Sequence, residues 1–169
     1  MEHHRTRPTR RSEMTTDQEY EEFAVARTPQ LYRSAWLLCG DRHGAEDLVQ
    51  ETLAKVFVKW KRIDNPAAYA QTTLVRTFLS QRRRKSNHEL PYADLPDQVG
   101  SDPAAASDLR IVLQDVLAGL APLDRAVLVL RYSDDLSVED VARRLGLSPG
   151  AVKNRSMRAL ERARERTPR

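Results

Sequence analysis

The sequence predicts an all-α protein of two small helical domains joined by a flexible linker, and three observations carry that expectation. Apolar residues recur at alternating spacings of three and four between Ala45 and Trp60, the period of a helix with one buried face. A capped helix, a glycine corner and a second, basic helix follow one another between Leu136 and Arg166. Residues 86–106, SNHELPYADLPDQVGSDPAAA, hold three prolines, one glycine and four acidic residues without a Lys or Arg, which is tether composition. No strand period and no internal repeat is legible.

Composition narrows the function classes. A chain of 169 residues can bury only modest cores if it is divided in two. Its 28 Lys and Arg against 24 Asp and Glu give a net charge of +4, so the basic signal lies in local clusters rather than in the total. Cys39 is the single cysteine and sits beside Trp36, Leu37 and Leu38, which suits a small buried hydrophobe in a reducing compartment. No apolar run has the length of a membrane span, and the opening MEHHRTRPTRRSEMTT lacks a signal peptide's hydrophobic segment, so a cytoplasmic protein is expected. His3, His4, His43 and His88 fall in a tail, a turn and a linker, with no ligand-spaced Cys or carboxylate nearby. There is no glycine-rich phosphate loop and no nucleophile with a positioned base, so no metal, cofactor or catalysis is expected.

Residues 1–16 read as a disordered basic tail carrying Arg5, Arg7, Arg10 and Arg11. Thr16-x-x-Glu19 can cap a first helix with Tyr20, Phe23 and Ala24, and Thr28-Pro29 reads as the start of a fresh one that runs through Leu31, Ala35 and Leu38 to Gly40. In the next helix Ala45, Leu48, Val49, Thr52, Leu53, Val56, Phe57 and Trp60 form one stripe. Its other face is acidic first (Glu46, Asp47, Glu51) and basic later (Lys55, Lys59), which matches the helix dipole. Asn65-Pro66 ends that segment and starts another, because proline fits only a first turn and asparagine is a good cap.

The helix from Pro66 to about Lys85 has a narrow apolar stripe, Ala67, Ala70, Leu74 and Phe78, and closes on Gln81-Arg82-Arg83-Arg84-Lys85. Tyr69 among Thr72, Thr73 and Arg76, with arginines beyond, suits a surface for single-stranded bases and backbone phosphates. After the linker, Ser107 can cap a helix with Leu109, Val112, Leu113, Val116 and Leu117. Pro122 starts another with Val127, Leu128, Leu130 and Tyr132, ending at Asp134-Asp135. Ser137-x-x-Asp140 is a capping-box pattern, Gly146 tolerates a left-handed backbone, and Ser148-Pro149 restarts a helix as cap and first-turn proline. That is a helix-turn-helix, whose second helix presents Lys153, Asn154, Ser156, Arg158 and Arg162 where such units enter a major groove.

Taken together these residues resemble the extracytoplasmic-function (ECF) class of bacterial RNA polymerase sigma factors, from about residue 17 to residue 166. The resemblance rests on Asp41-Arg42-x-x-Ala45-Glu46-Asp47-Leu48-Val49-Gln50-Glu51-Thr52, on Asn65-Pro66-x-Ala68-Tyr69, and on Leu130-Arg131-Tyr132 with the helix-turn-helix. It implies a sigma-2-like domain over 17–85, a linker over 86–106 and a sigma-4-like domain over 107–166. Asp47, Gln50 and Glu51 would dock on the clamp helices of core RNA polymerase, and the second domain on its flap. Asn65, Tyr69, Thr72, Thr73, Arg76, Arg83 and Arg84 would take the promoter's minus-ten element. Ser148, Gly150, Lys153, Asn154, Met157, Arg158 and Arg162 would take the upstream, minus-thirty-five element. The chain departs from the family pattern at Arg76, where many members have Asn, and at Thr72-Thr73, where a basic pair is common. An anti-sigma factor is a further partner that the class often has and that no residue here singles out. The alternative reading is a LuxR-type activator, whose four-helix domain shares the Leu-Ser-Pro…Val-Lys-Asn rhythm.

Overall fold

The computed structural model describes residues 14–87 and 108–167, with the side chains of 108–110 left aside. Seven α-helices account for the described residues: α1 Thr16–Cys39, α2 Arg42–Lys59, α3 Pro66–Asn87, α4 Asp108–Ala118, α5 Pro122–Leu128, α6 Val138–Leu145 and α7 Pro149–Arg166. The basic tail up to Arg11, residues 88–106 of the acidic linker and the Ser107 cap lie outside the described residues, while Ser86 and Asn87, expected to begin the linker, continue α3 instead.

Local chemistry accounts for most of the boundaries. The α1 cap is one residue earlier than expected: Thr15 Oγ1 accepts from the Gln18 amide at 3.3 Å, and Gln18 Oε1 accepts from Thr15 N–H at 2.9 Å. Two overlapping Thr/acid-amide pairs are present, and the pattern alone does not choose between them. The expected break at Thr28-Pro29 does not occur, because α1 runs straight through Pro29. The carbonyl that proline leaves without a partner belongs to Val25, which is 77 % exposed, so water can take it. Gly40 ends α1 at φ 78°, and Asp41 caps α2 by accepting from Gly44 N–H at 2.6 Å. His43, expected in a turn, therefore sits in the first turn of α2.

The α2 stripe is buried as expected from Ala45 to Val56, whereas Phe57 is half exposed and packs edge-on against Tyr20 with ring centroids 4.9 Å apart. A 3₁₀ turn, Trp60–Arg62, follows α2, and Asn65 Oδ1 accepts from Ala68 N–H at 3.2 Å to cap α3. Helix α5 passes into a π-turn, Val129–Ser133, in which Asp134 N–H reaches the Val129 carbonyl at 3.0 Å. This turn carries Tyr132 out to 57 % exposure, away from the core the periodicity suggested, and Leu113 is likewise exposed on α4. At α6 only half of the capping box forms: Ser137 Oγ accepts from Asp140 N–H at 3.1 Å, while the Asp140 carboxylate takes Arg143 instead of reaching back.

The two halves share a core. Leu31, Leu38, Leu74 and Phe78 from α1 and α3 are continuous with Val127, Leu130, Val141 and Val152 from α5 to α7. The α3 stripe is therefore wider than expected, with Val75 and Thr77 also buried, because α3 packs on α2 along one side and on α5 and α6 along another. Arg125 lies buried at the junction. Its guanidinium donates to the carbonyl of Leu38 at 2.6 Å and of Leu120 at 3.0 Å, and stands 5.9 Å from the Phe78 ring. Burial lowers its pKa to about 10, so it stays charged at neutral pH. Farther along the junction Ser34 donates to the Asp134 carboxylate at 2.8 Å.

Burial raises the Asp134 carboxyl above the usual carboxylate range, against hydrogen bonding from Ser34 and Gln71. A raised folded-state pKa means the folded chain holds the extra proton, so this group's contribution to stability grows as pH falls through the raised value and is lost as pH rises above it. Asp134→Asn removes that titration. Compared with the parent, the variant is expected to gain in relative stability from about pH 4 to about pH 7 in urea melts. A stability difference that does not change with pH would contradict this account.

Candidate nucleic-acid interface

Helices α6 and α7 form the helix-turn-helix. Gly146 turns the chain at φ 67°, and both its N–H and that of Leu147, at 2.9 Å, are directed to the Ala142 carbonyl. Ser148 Oγ then accepts from Ala151 N–H at 3.1 Å, and Pro149 occupies the first turn of α7. Val152, Ser156 and Ala159 face inward, and Arg155 pairs with Asp124 at 2.8 Å, which fixes α7 on α5. Ser156, read from sequence as a polar contact near the groove end, is thus a buried residue, because it is four positions after Val152 on the same face. Ser148, Gly150, Lys153, Asn154, Met157, Arg158 and Arg162 are all exposed, and Met157 is 60 % exposed among cations. Such an apolar side chain on a basic face suits contact with a thymine methyl.

The second site is an open groove of about 720 Å³ between the end of α2 and the first half of α3. One wall holds Asn65, Tyr69, Thr72, Thr73 and Arg76, five of the seven residues expected at the minus-ten element. The other wall holds Lys55, Lys59 and Arg62. The sequence reading took the two lysines as partners of the helix dipole. Their spacing with Arg62, four and then three residues, places all three on one face and was the available signal. Arg83 and Arg84 are exposed on the last turns of α3, beyond this lining. The groove's cations are not all free: Lys55 Nζ donates to Thr77 Oγ1 at 3.0 Å and lies 3.4 Å from Glu51, and Arg76 donates through Nε and Nη2 to the Arg144 carbonyl at 2.9 and 2.7 Å.

The acidic residues of α2 divide. Asp47 and Gln50 are exposed, with His43 3.7 Å from Asp47. Glu51 is half-buried and accepts from Gln81 at 2.7 Å, so it also ties α2 to α3. Cys39 is partly buried, and burial pushes its thiol up to about 11, which leaves it protonated and unreactive at neutral pH. Among the described residues no group of three His, Cys, Asp or Glu could hold a metal, and no helix is long and apolar enough to cross a membrane.

With this geometry in place, comparison with known proteins adds the following. Residues 24–88 match the family description "Sigma-70 region 2" and residues 110–162 match "Sigma-70, region 4". The chain is 37 % identical over 150 residues to the RNA polymerase sigma-E factor of Streptomyces coelicolor, covering 87 % of this chain and 85 % of that one. It is 31 % identical over 144 residues to the ECF RNA polymerase sigma factor SigL of Mycobacterium tuberculosis, covering 80 % and 79 %. Among solved structures it is similar to the sigma factor RpoE of Bartonella quintana in complex with the anti-sigma factor NepR, with a TM-score of 0.69, 28 % identity, and 88 % and 96 % of the two chains covered.

Ser148 separates folding from contact at this interface. Ser148→Ala is expected to cost about 1 kcal/mol of stability in urea denaturation through the lost cap, and Ser148→Asp to recover most of it because aspartate caps as well as serine. Equal destabilisation by both substitutions would contradict the capping role.

Proposed function

This chain belongs to the extracytoplasmic-function class of RNA polymerase sigma factors, and we propose that its groove and its basic helix are the two surfaces with which it reads a promoter. As a sigma factor it binds core RNA polymerase and directs promoter-specific transcription initiation. The observation that carries the assignment of surfaces is the groove itself, in which an aromatic ring and hydroxyls face a row of cations. In this role Tyr69 offers a stacking face to a base drawn out of the duplex. Asn65, Thr72 and Thr73 offer hydrogen bonds to base edges or sugar, while Lys55, Lys59, Arg62 and Arg76 neutralise backbone phosphates, with Arg83 and Arg84 extending that track. At the upstream element Lys153, Arg158 and Asn154 reach base edges, Met157 meets a thymine methyl, and Ser148, Gly150 and Arg162 meet phosphates.

The working units are residues 17–85 and 107–166, with 86–106 as the tether, and the protein contributes binding and positioning while polymerase carries out the chemistry. That work places it in the cytoplasm. Asp47 and Gln50, exposed on a rigid helix, suit a basic partner surface, and we assign them with Glu51 to the clamp helices and the second domain to the flap. The likeness to RpoE bound to NepR supports an anti-sigma factor as a further partner. The LuxR-type alternative has no counterpart to the region 2 match over residues 24–88.

Run-off transcription with core polymerase tests the reading. Lys153→Ala is expected to cost on the order of 1–3 kcal/mol at particular upstream positions, whereas Arg164→Ala weakens binding evenly across sequences and lowers its salt dependence. An upstream consensus unchanged by Lys153→Ala in binding-site selection would reject the assignment. Asp47→Lys is expected to weaken holoenzyme formation at least about tenfold by like-charge repulsion, with the melting temperature held because the side chain lies off the buried stripe. Intact assembly in the variant would move the polymerase contact elsewhere.

A further inference from the structure

One cation of the groove is held in place by the protein itself. Lys55 Nζ donates to Thr77 Oγ1 at 3.0 Å and lies 3.4 Å from the Glu51 carboxylate, which in turn accepts from Gln81 at 2.7 Å. Thr77 is 2 % exposed, whereas the Lys55 side chain is 46 % exposed. A threonine inside a helix can return its hydroxyl to the carbonyl four residues back, as the buried Thr52 does to Leu48 at 2.7 Å. Thr77 instead serves a lysine on another helix. An ammonium has three donors and no acceptor, so Thr77 accepts. With Thr77 and Glu51 on two sides of the ammonium, its third side is left for the open groove.

This cation stands at the end of the groove away from the Tyr69 ring. Tyr69, Thr73, Thr77 and Ser80 recur at helical spacing along α3 and all line the groove. Thr77 comes eight residues after Tyr69, or about 12 Å along the helix. A strand that stacks a base on Tyr69 and continues along the groove therefore meets Lys55 at a different nucleotide. That end has no aromatic ring in its lining and offers an ammonium beside the hydroxyls of Thr73 and Ser80, donors suited to phosphate oxygens. Lys59 and Arg62 line the same wall without a comparable tie among the described residues. A loose lysine gives up rotamer freedom when a ligand orders it, and one that is already fixed gives up little more.

We propose that Thr77 is a positioning residue that sets Lys55 as the ligand of one particular backbone phosphate at the far end of the groove. This rests on the assignment of the groove to the single strand of the minus-ten element. Thr77 is buried and touches no DNA; it acts through the ammonium, which Glu51 supports from α2. Lys59 and Arg62 add charge without fixing a register. Lys55, held on two sides, fixes which linkage of the strand lies at this point, and with it which bases meet Tyr69 and the hydroxyls of α3.

The test separates the hydroxyl of Thr77 from its shape. Thr77→Val keeps the shape and loses the acceptor, while Thr77→Ser keeps the acceptor and loses a methyl group. The full chain, assembled with core polymerase, is titrated with the single-stranded minus-ten oligonucleotide that binding-site selection with the parent holoenzyme returns. Thr77→Val is expected to bind it about fivefold more weakly with an unchanged salt slope, since no charge is lost, and Thr77→Ser to bind as the parent does. Lys55→Ala is expected to bind at least as weakly and to lower the salt slope by about 0.7. When linkages are replaced one at a time by uncharged methylphosphonate, one linkage is expected to cost the parent about fivefold and both Thr77→Val and Lys55→Ala about twofold or less. Parental or tighter binding by Thr77→Val overturns the proposal. So does equal weakening by both substitutions at Thr77, or a weak Thr77→Ser beside an intact Thr77→Val, which is the pattern of a packing contact. Parental binding by Lys55→Ala with a loss in Tyr69→Ala overturns the proposal alone, whereas parental binding by both overturns the assignment of the groove on which it rests.

Discussion

One buried guanidinium holds the architecture together. Arg125 sits where α1, α3, α4 and α5 meet; its two terminal nitrogens donate to the carbonyls of Leu38 at the close of α1 and Leu120 just after α4, its Nε is buried without a partner, and Phe78 of α3 lies under its face. Removing such a group from water costs several kcal/mol unless its hydrogen bonds are satisfied. The Leu38 acceptor is a carbonyl that α1 leaves unpaired at its C-terminus, where the helix dipole adds negative potential, and the Leu120 acceptor lies two residues past the end of α4. Arginine is suited to this because its planar fork can serve two helix ends at once and stays charged when buried. That meeting of helix ends is one of the contacts, with the shared apolar core, that join α4 and α5 to the first half.

The two candidate DNA surfaces draw on different physics. On α7 the side chains assigned to the upstream element lie on one rigid helix, seated by Val152 and Ala159 in the core and by the Arg155–Asp124 pair at 2.8 Å, which would present their donors in a predetermined register. The groove is assembled from two helices and the turn between them, and its cations come from α2 while its ring and hydroxyls come from α3. A rigid row suits the regular major groove of a duplex. A cleft with a ring on one wall and charge on the other suits a strand whose bases can be splayed apart. Glu51 and Lys55 join the proposed polymerase face to the groove, since the pair at 3.4 Å, with Gln81 and Thr77, links both to α3.

The sequence by itself determined whatever depends on neighbours within one or two helical turns. The α2 stripe from Ala45 to Val56, the Asn65-Pro66 boundary, the Gly146 corner and the Ser148 cap are present as read, because helix period and capping are decided by residues three to five apart. For the same reason the exposed residues of α7 were legible: once Val152 and Ala159 are inside, Lys153, Asn154, Met157 and Arg158 have to be outside. Only the tertiary structure decided what depends on partners far along the chain. Pro29 passes inside α1 at a place where Val25, whose carbonyl it leaves unpaired, faces outward. Val75 and Thr77 are buried because α3 is packed on several helices, Thr77 under Lys55 of α2. Lys55, Lys59 and Arg62 became a groove wall only when α3 folded back against α2, and Ser34 met Asp134 across 100 residues. A periodic pattern says which face of a helix is apolar or charged, but which other element meets that face is set by the packing of the whole chain.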